Sequence, residues 1–453
     1  MPLISRADEA ARYIRRLVFD GELGPGSRVP QDAIAAYLGM SRIPIREALI
    51  SLETEGWVTS ELNRGAFIHG FDAYSVEDHY ALHGMLYGLA AQKALGRTSD
   101  PALATELTAL VKPLSGSEPP EQITKASLSF HHAVLDASQS PRIKTLLRAL
   151  AQLVPGDFFT MVPEGTGVQI KGMRAIARTM KRGDAVAANV EYETLMRNIG
   201  RIVLSLFERR GLLVVPAPHQ PIDRSRPGDT LRPPERVPRM SRGDEAAQYI
   251  RSLIFDGELT PGSRVPQDDV AAILGVSRIP VREALIQLEN EGWVAIEHNR
   301  GAFVNGFDTN SVLDQYELHG RLYGFVARRA MQRATGDGLV ARLSEDVKAL
   351  SGATDHPEQM TKLSVAFHRS FYDAAQSPRL KTLARGLTQL VPGDFFTMVP
   401  EAIEPQRKGM RAITRAVKSG NVDDVDAQYQ RLMANVGTAV LDLFERRELI
   451  NKT

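Results

Sequence analysis

At 453 residues, 43% apolar and 24% charged, the chain has room for about three or four globular domains of ordinary composition. It has no cysteine, which excludes disulfides, thiolate metal sites and cysteine nucleophiles. A net charge of +1 gives no bulk attraction for nucleic acid. No run of about 18 apolar residues occurs, and the N-terminus MPLISRADEAARY turns charged at once. Neither a membrane span nor a secretory leader is therefore expected, and the expected setting is cytoplasmic.

The chain is written twice. SRIPIREALISLETEGW, from Ser41, returns as SRIPVREALIQLENEGW, from Ser277, and LVPGDFFTMVPE, from Leu153, returns unchanged from Leu390. Solenoid units are about 20–50 residues long, so a repeat on this scale is a whole protein fused to its copy.

In chain order, the first segment carries Ala11, Ile14, Leu17 and Val18 at helical spacing and stops at a Gly-Pro-Gly. A short helix is predicted over 30–38, ending at Gly39. Ser41 is placed to cap a third helix whose inward face is Ile45, Ala48, Leu49 and Leu52. Short strands are predicted over 57–60 and 66–69, around the turn Asn63-Arg64-Gly65. Helical periodicity then runs through 74–94, 101–112, 120–138, 141–152, 168–182 and 184–210, which predicts a bundle of six or seven helices. Residues 216–238 hold seven prolines (216, 218, 221, 227, 233, 234 and 238) and read as a linker. The second half repeats the order.

Arg42 and Arg46 lie four apart at the start of the third helix and share a face opposite Ile45, Ala48 and Leu49. An exposed arginine pair at the N-terminal end of a helix with a buried back suits major-groove reading, because the guanidinium fork bonds guanine O6 and N7 together. Arg64, beside Gly65 at the hairpin tip, is placed for a minor groove or a phosphate. The set recurs as Ser277, Arg278, Arg282, Arg300 and Gly301.

This order of helices, with SR-x-P-[IV]-REAL, EGW and RGAF, resembles the winged helix-turn-helix of the GntR family of bacterial transcription regulators. The helical part resembles the ligand-binding FCD domain of that family's FadR branch. The resemblance implies a mainly α fold, with two winged helix-turn-helix domains (1–71 and 240–307), each followed by an all-helical FCD-type bundle (72–213 and 308–453). The linker is set at 214–239. Ser41, Arg42, Arg46, Arg64 and Gly65, with their counterparts, become the candidate contacts to a double-stranded DNA operator. Related regulators often carry an arginine ten residues before the recognition arginine. Here Asp32 and Asp268 stand there, and they are read as helix caps.

Many FCD domains resemble one another in a metal site of one Asp and three His. His131 and His368 match the first histidine, but Ser127 and Ser364 replace the acid. Met173 and Leu195, and Met410 and Leu432, stand where the later histidines belong. No metal and no other cofactor is expected. His83, His131, His319 and His368 are the candidate ligand-binding residues, each weighed against an ordinary packed histidine. His79 (Gln315 in the copy) and His132 (Arg369) are not shared and are set aside. The repeated PGDFFTMVP reads either as a lid over an apolar ligand or as a dimer or pseudo-dimer contact, with the contact preferred.

Any grip on DNA must come from a local arginine cluster, not from bulk charge. Residues 6–71 carry eight arginines against nine acids, and residues 242–307 carry six against ten, so the balance is −1 and then −4. The first half is expected to grip harder, since it has Arg15-Arg16 where the second has Arg251-Ser252. The wings differ at Leu62/His298 and His69/Asn305. No phosphate loop, nucleophile motif or distinctive carboxylate pair is present, so no enzyme is predicted. The expected function is a ligand-responsive regulator, a repressor, reading a near-palindromic operator as an intramolecular pseudo-dimer, with or without a second chain. Its effector would be a small molecule of apolar or acyl type. The alternatives are a DNA binder with vestigial pockets and a ligand-binding interaction protein that no longer binds DNA.

Overall fold

The computed structural model describes residues 5–54, 56–61, 64–97, 101–150, 153–154, 158–214, 241–297, 300–334, 338–351, 356–377, 380, 391 and 395–450. The linker beyond Val214, Asn63, the Leu62/His298 pair and the Pro-Gly-Asp of both repeated loops lie outside them. The chain divides near residue 217 into two compact units, the segment 377–382 apart.

In the first unit, α1 (Arg6–Phe19) starts with a reciprocal cap. The Asp8 backbone N–H donates to the Ser5 hydroxyl at 3.0 Å, and the Ser5 N–H donates to the Asp8 carboxylate at 3.3 Å. Its buried stripe, Ala10, Ala11, Ile14, Leu17 and Val18, packs on α3 (Arg42–Thr54), with α2 (Gln31–Tyr37) between them in sequence. Ile45, Ala48, Leu49 and Leu52 form the buried back of α3, as their spacing requires. Strands β1 (Val58–Glu61) and β2 (Gly65–Ile68) pair antiparallel, Val58 opposite Ile68 and Glu61 opposite Gly65. Each differs by one residue from the expected span. Trp57 is fully buried and spends its N–H on Leu52 at the end of α3, so the ladder begins one residue later. Gly65 enters the ladder because it adopts φ +101°, which an L side chain rarely takes.

The helical part comprises α4 (Ala73–Arg97), α5 (Ala102–Val111), α6 (Pro120–Ala137), α7 (Pro141–Ala149), α8 (Phe158–Met161), α9 (Gly165–Lys181) and α10 (Ala185–Arg209). Its frame is the antiparallel pair α4 and α10. Gly84 faces Glu193, Gly88 faces Asn189 and Tyr80 faces Gly200. A Cβ on Gly84 would lie 2.9 Å from the Glu193 Cα, so only glycine lets the two backbones come this close.

The second unit repeats the plan: α11 (Arg242–Phe255), α12 (Gln267–Leu274), α13 (Arg278–Asn290), β3 (Val294–Glu297) and β4 (Gly301–Val304), then α14 (Thr309–Arg333), α15 (Gly338–Ser351), α16 (Pro357–Ala375), α17 (Phe395–Met398), a 3-10 turn at Pro400–Ala402, α18 (Ile403–Lys418) and α19 (Val422–Arg446).

The repeated FFTM is the one-turn helix α8 or α17. Phe159 and Val162, and Phe396 and Val399, are buried within their own unit. Within the unit α8 packs on α6, while Phe158 and Met161 stay half-buried.

An aromatic seam joins the α1–β2 domain to the helical bundle. Trp57 packs edge-on to Phe71 (4.8 Å between ring centroids), Phe71 to Phe207 (5.3 Å) and Phe207 to Phe19 (6.0 Å). Arg210, just past α10, lies over the Phe19 ring and donates to the Phe19 carbonyl at 3.1 Å. Trp293, Phe307, Phe444, Phe255 and Arg447 repeat the seam. Truncating Phe207 to Ala empties its centre and should cost about 3–5 kcal/mol in urea unfolding. A loss under about 1 kcal/mol would show that the two parts are held together elsewhere.

Candidate nucleic-acid interface and helical-domain cluster

Arg42 and Arg46 both emerge exposed from the first turns of α3. They differ in partner. Arg42 Nε sits 2.6 Å from Asp32 Oδ1, and Arg278 Nε 2.5 Å from Asp268 Oδ1. This corrects the capping role expected for the two acids. Pro30 and Pro266 occupy the cap positions of α2 and α12 without a side-chain bond, and the aspartates two residues on turn to the arginines. Arg46 and Arg282 form no ion pair with a described residue. Ser277 holds the cap position of α13 in extended conformation, but its hydroxyl makes no capping bond, and Ser41 precedes α3 as an exposed residue.

At the wing, Arg64 bonds Glu61 and lies over the Phe67 ring at 5.4 Å, and Arg300 does the same with Glu297 and Phe303. Composition and spacing had missed Arg28 and Arg264. Each bridges to the wing strand, and a Cβ on Gly65 or Gly301 would come within 3.1 or 2.9 Å of the arginine Nε. Their signal in the sequence was GSRVPQD, unchanged between the copies. The wing therefore presents two arginines beside a bare glycine backbone.

Arg251 does not face outward. It is buried and paired with Glu291 through contacts of 2.6–2.8 Å. Position 251 thus belongs to the domain interior of the second unit, whereas its counterpart Arg15 is half-buried. Arg16, which stands opposite Ser252, is exposed and reaches Asp20 at 3.4 Å.

In the first helical part, His83 and His131 are joined through Tyr87, whose ring centroid is 6.2 Å from one and 4.8 Å from the other. His79, set aside earlier, packs at 4.4 Å from His83. Gln169 Nε2 donates to Ser127 Oγ at 2.8 Å and lies 3.1 Å from His131 Nε2. If that amide donates to Nε2, the proton rests on Nδ1, which faces the Tyr192 hydroxyl at 3.4 Å. Burial, helped by His83 and His132, lowers the His131 pKa to about 3, and burial raises Tyr87 to about 12. In the second unit, Tyr323 stacks on His368 at 4.6 Å and on His319 at 5.9 Å. Gln406 Nε2 is 3.4 Å from His368 Nε2 and 3.5 Å from Met410 Sδ, and the buried Ser364 hydroxyl has no partner among the described residues.

These donors do not fit a divalent metal. One neutral imidazole, an amide and hydroxyls replace a carboxylate and three imidazoles, while Met173 and Leu195 fill the remaining positions, buried. Gln169 and Tyr192 were legible only as residues one turn from Met173 and Leu195. A groove of about 630 Å³ lies elsewhere, between Leu95, Leu103, Thr108, Lys112, Met180 and Lys181.

The description "Bacterial regulatory proteins, gntR family" matches residues 6–68 and 242–304, and "FCD domain" matches 78–198 and 314–435. The chain belongs to the FCD-domain regulators of the gntR family. An uncharacterized HTH-type transcriptional regulator of Mycobacterium tuberculosis is 33% identical over 156 residues, 34% of this chain and 64% of that protein. The Nta operon transcriptional regulator of Aminobacter aminovorans is 30% identical over 131 residues, 29% of this chain and 62% of that one. The match thus spans less than two thirds of either relative. The solved structure of E. coli McbR/YncC is 18% identical with a TM-score of 0.35, covering 46% of this chain and 98% of that one.

In this family member the ion pairs Asp32–Arg42 and Asp268–Arg278 are exposed and add little stability. Changing both aspartates to Asn removes two negative charges from the reading face. Binding to random-sequence duplex should tighten and its salt slope should steepen, with the melting temperature nearly unchanged. Fluorescence anisotropy across a salt series checks this.

Between pH 6.5 and about 3, the unfolded chain takes up a proton at His131 and His368 that the folded chain refuses. Stability should therefore fall as pH falls, by roughly 2 kcal/mol per histidine at pH 5. Urea unfolding at pH 7 and 5 measures the slope. The variant with both histidines changed to Gln should flatten it.

Proposed function

We propose that the protein is a repressor of the FadR branch that reads a near-palindromic operator with the two winged helices of one chain. The observation that carries this reading is the pair Arg46 and Arg282, exposed and without a described ion partner at the N-terminal ends of duplicate helices with buried backs. Each fork can bond one guanine edge in the major groove. Ser41, Arg42, Arg64 and Gly65, with Ser277, Arg278, Arg300 and Gly301, hold the backbone and the flanking groove. Fusion replaces dimerisation by a tether, which sets an effective concentration toward the millimolar range.

An effector entering at His83 and His131, or at His319 and His368, meets the neutral imidazole of His131 or His368 and the ring of Tyr87 or Tyr323, an environment for an uncharged or apolar molecule. Tyr192 and Phe207 lie on the same helix, 15 residues and about 22 Å apart. A shift of α10 at the cluster therefore moves the aromatic seam under the winged helix. Coupling of about 1–3 kcal/mol suffices to release DNA. The close ring packing at the cluster favours a second reading, a ligand-independent DNA binder.

Selection from a random duplex pool tests the first claim. The intact chain should enrich a two-fold motif, and Arg46→Ala or Arg282→Ala should each cost about 1–3 kcal/mol of operator binding. An enriched motif indifferent to both arginines would refute the assignment.

A further inference from the structure

The arginines account for polar contacts on α3, but not for what lies beside them. Ile43 is 68% exposed and its counterpart Ile279 is 69% exposed, on the first turn of each recognition helix. Ile50 (58%) and Ile286 (49%) lie two turns on. Ile43, Arg46 and Ile50 follow at spacings of three and four, so one outward stripe runs apolar, cationic, apolar. Both copies keep it, although buried position 45 has become Val281 and position 51 has become Gln287.

Rotation of these side chains inward is blocked, because Ile45, Ala48, Leu49 and Leu52 already fill the back of the helix. An isoleucine has no group for a phosphate or a polar base edge. On the floor of the major groove the apolar group that a base pair offers is the thymine C5-methyl.

We infer that Ile43 and Ile279 read a thymine methyl in each half-site, next to the guanine taken by Arg46 or Arg282. They are specificity-determining residues that hydrogen-bond nothing. This inference rests on the DNA-reading function proposed above. It makes the half-site at least two letters wide, a guanine for the arginine and a thymine for the isoleucine.

Deoxyuridine removes that methyl and leaves base pairing intact, so it tests the contact one thymine at a time. The selected operator is titrated with the full chain and with the Ile43→Ala plus Ile279→Ala variant. Both positions are exposed, and circular dichroism checks that the variant folds. The expected result is a loss of about fourfold at one thymine per half-site for the unmodified chain, the worth of one buried methyl. The variant should bind the thymine and uracil duplexes equally. Indifference of the unmodified chain to every uracil overturns the inference and leaves the operator reading standing. So does a variant that keeps the full thymine preference. Absence of any selected duplex overturns the operator reading itself.

Discussion

The edge-to-face ring chain Trp57–Phe71–Phe207–Phe19, repeated as Trp293–Phe307–Phe444–Phe255, is the contact on which each unit depends. It buries one side chain from the turn after the recognition helix, one from the strand end, one from the last helix of the bundle and one from α1. The backbone follows the same path, since the Val214 N–H donates to the Phe71 carbonyl at 2.8 Å. Without this seam the winged helix and the bundle would be two bodies on a short strap. With it, the angle of the reader is set by α10, and α10 is held in turn by α4 through glycine contacts at Gly84 and Gly200.

Electrostatics then divides the work of the reading face. Neither winged domain has a positive balance, so attraction to phosphate is local. Acids hold part of that local charge in place: Asp32 takes Arg42, Glu61 takes Arg64, and Asp20 lies near both Arg16 and Arg210. Arg46 is set apart from these pairs. In the proposed reading, such a face gives up non-specific affinity for discrimination, because arginines already paired to acids gain less from any phosphate.

Inside the bundle, a polar cluster has taken the place where related domains resemble one another in a metal site. A charged carboxylate and three imidazoles give way to Ser127, Gln169, His131 and Tyr192, which satisfy one another without a cation. The second unit satisfies its set less completely, with Ser364 unpartnered among the described residues and Tyr372 in place of Leu135. The two bundles are therefore not equivalent, although the described long helices of the second follow the order of the first.

The sequence by itself determined the duplication, the order of elements, the buried back of α3 and the arginines on its front. Those follow from periodicity, which fixes which side of a helix faces inward whatever the rest does. It also carried enough to discount a metal, through Ser127, Met173 and Leu195. Only the tertiary structure decided what pairs with what. Arg251 reads as a basic surface residue until Glu291, 40 residues on, is seen to take it inside. Asp32 reads as a cap until α3 folds over it, and Arg210 meets Phe19 across 191 residues. Pairings of this kind depend on the crossing of elements far apart in the chain, and local spacing holds no record of that crossing.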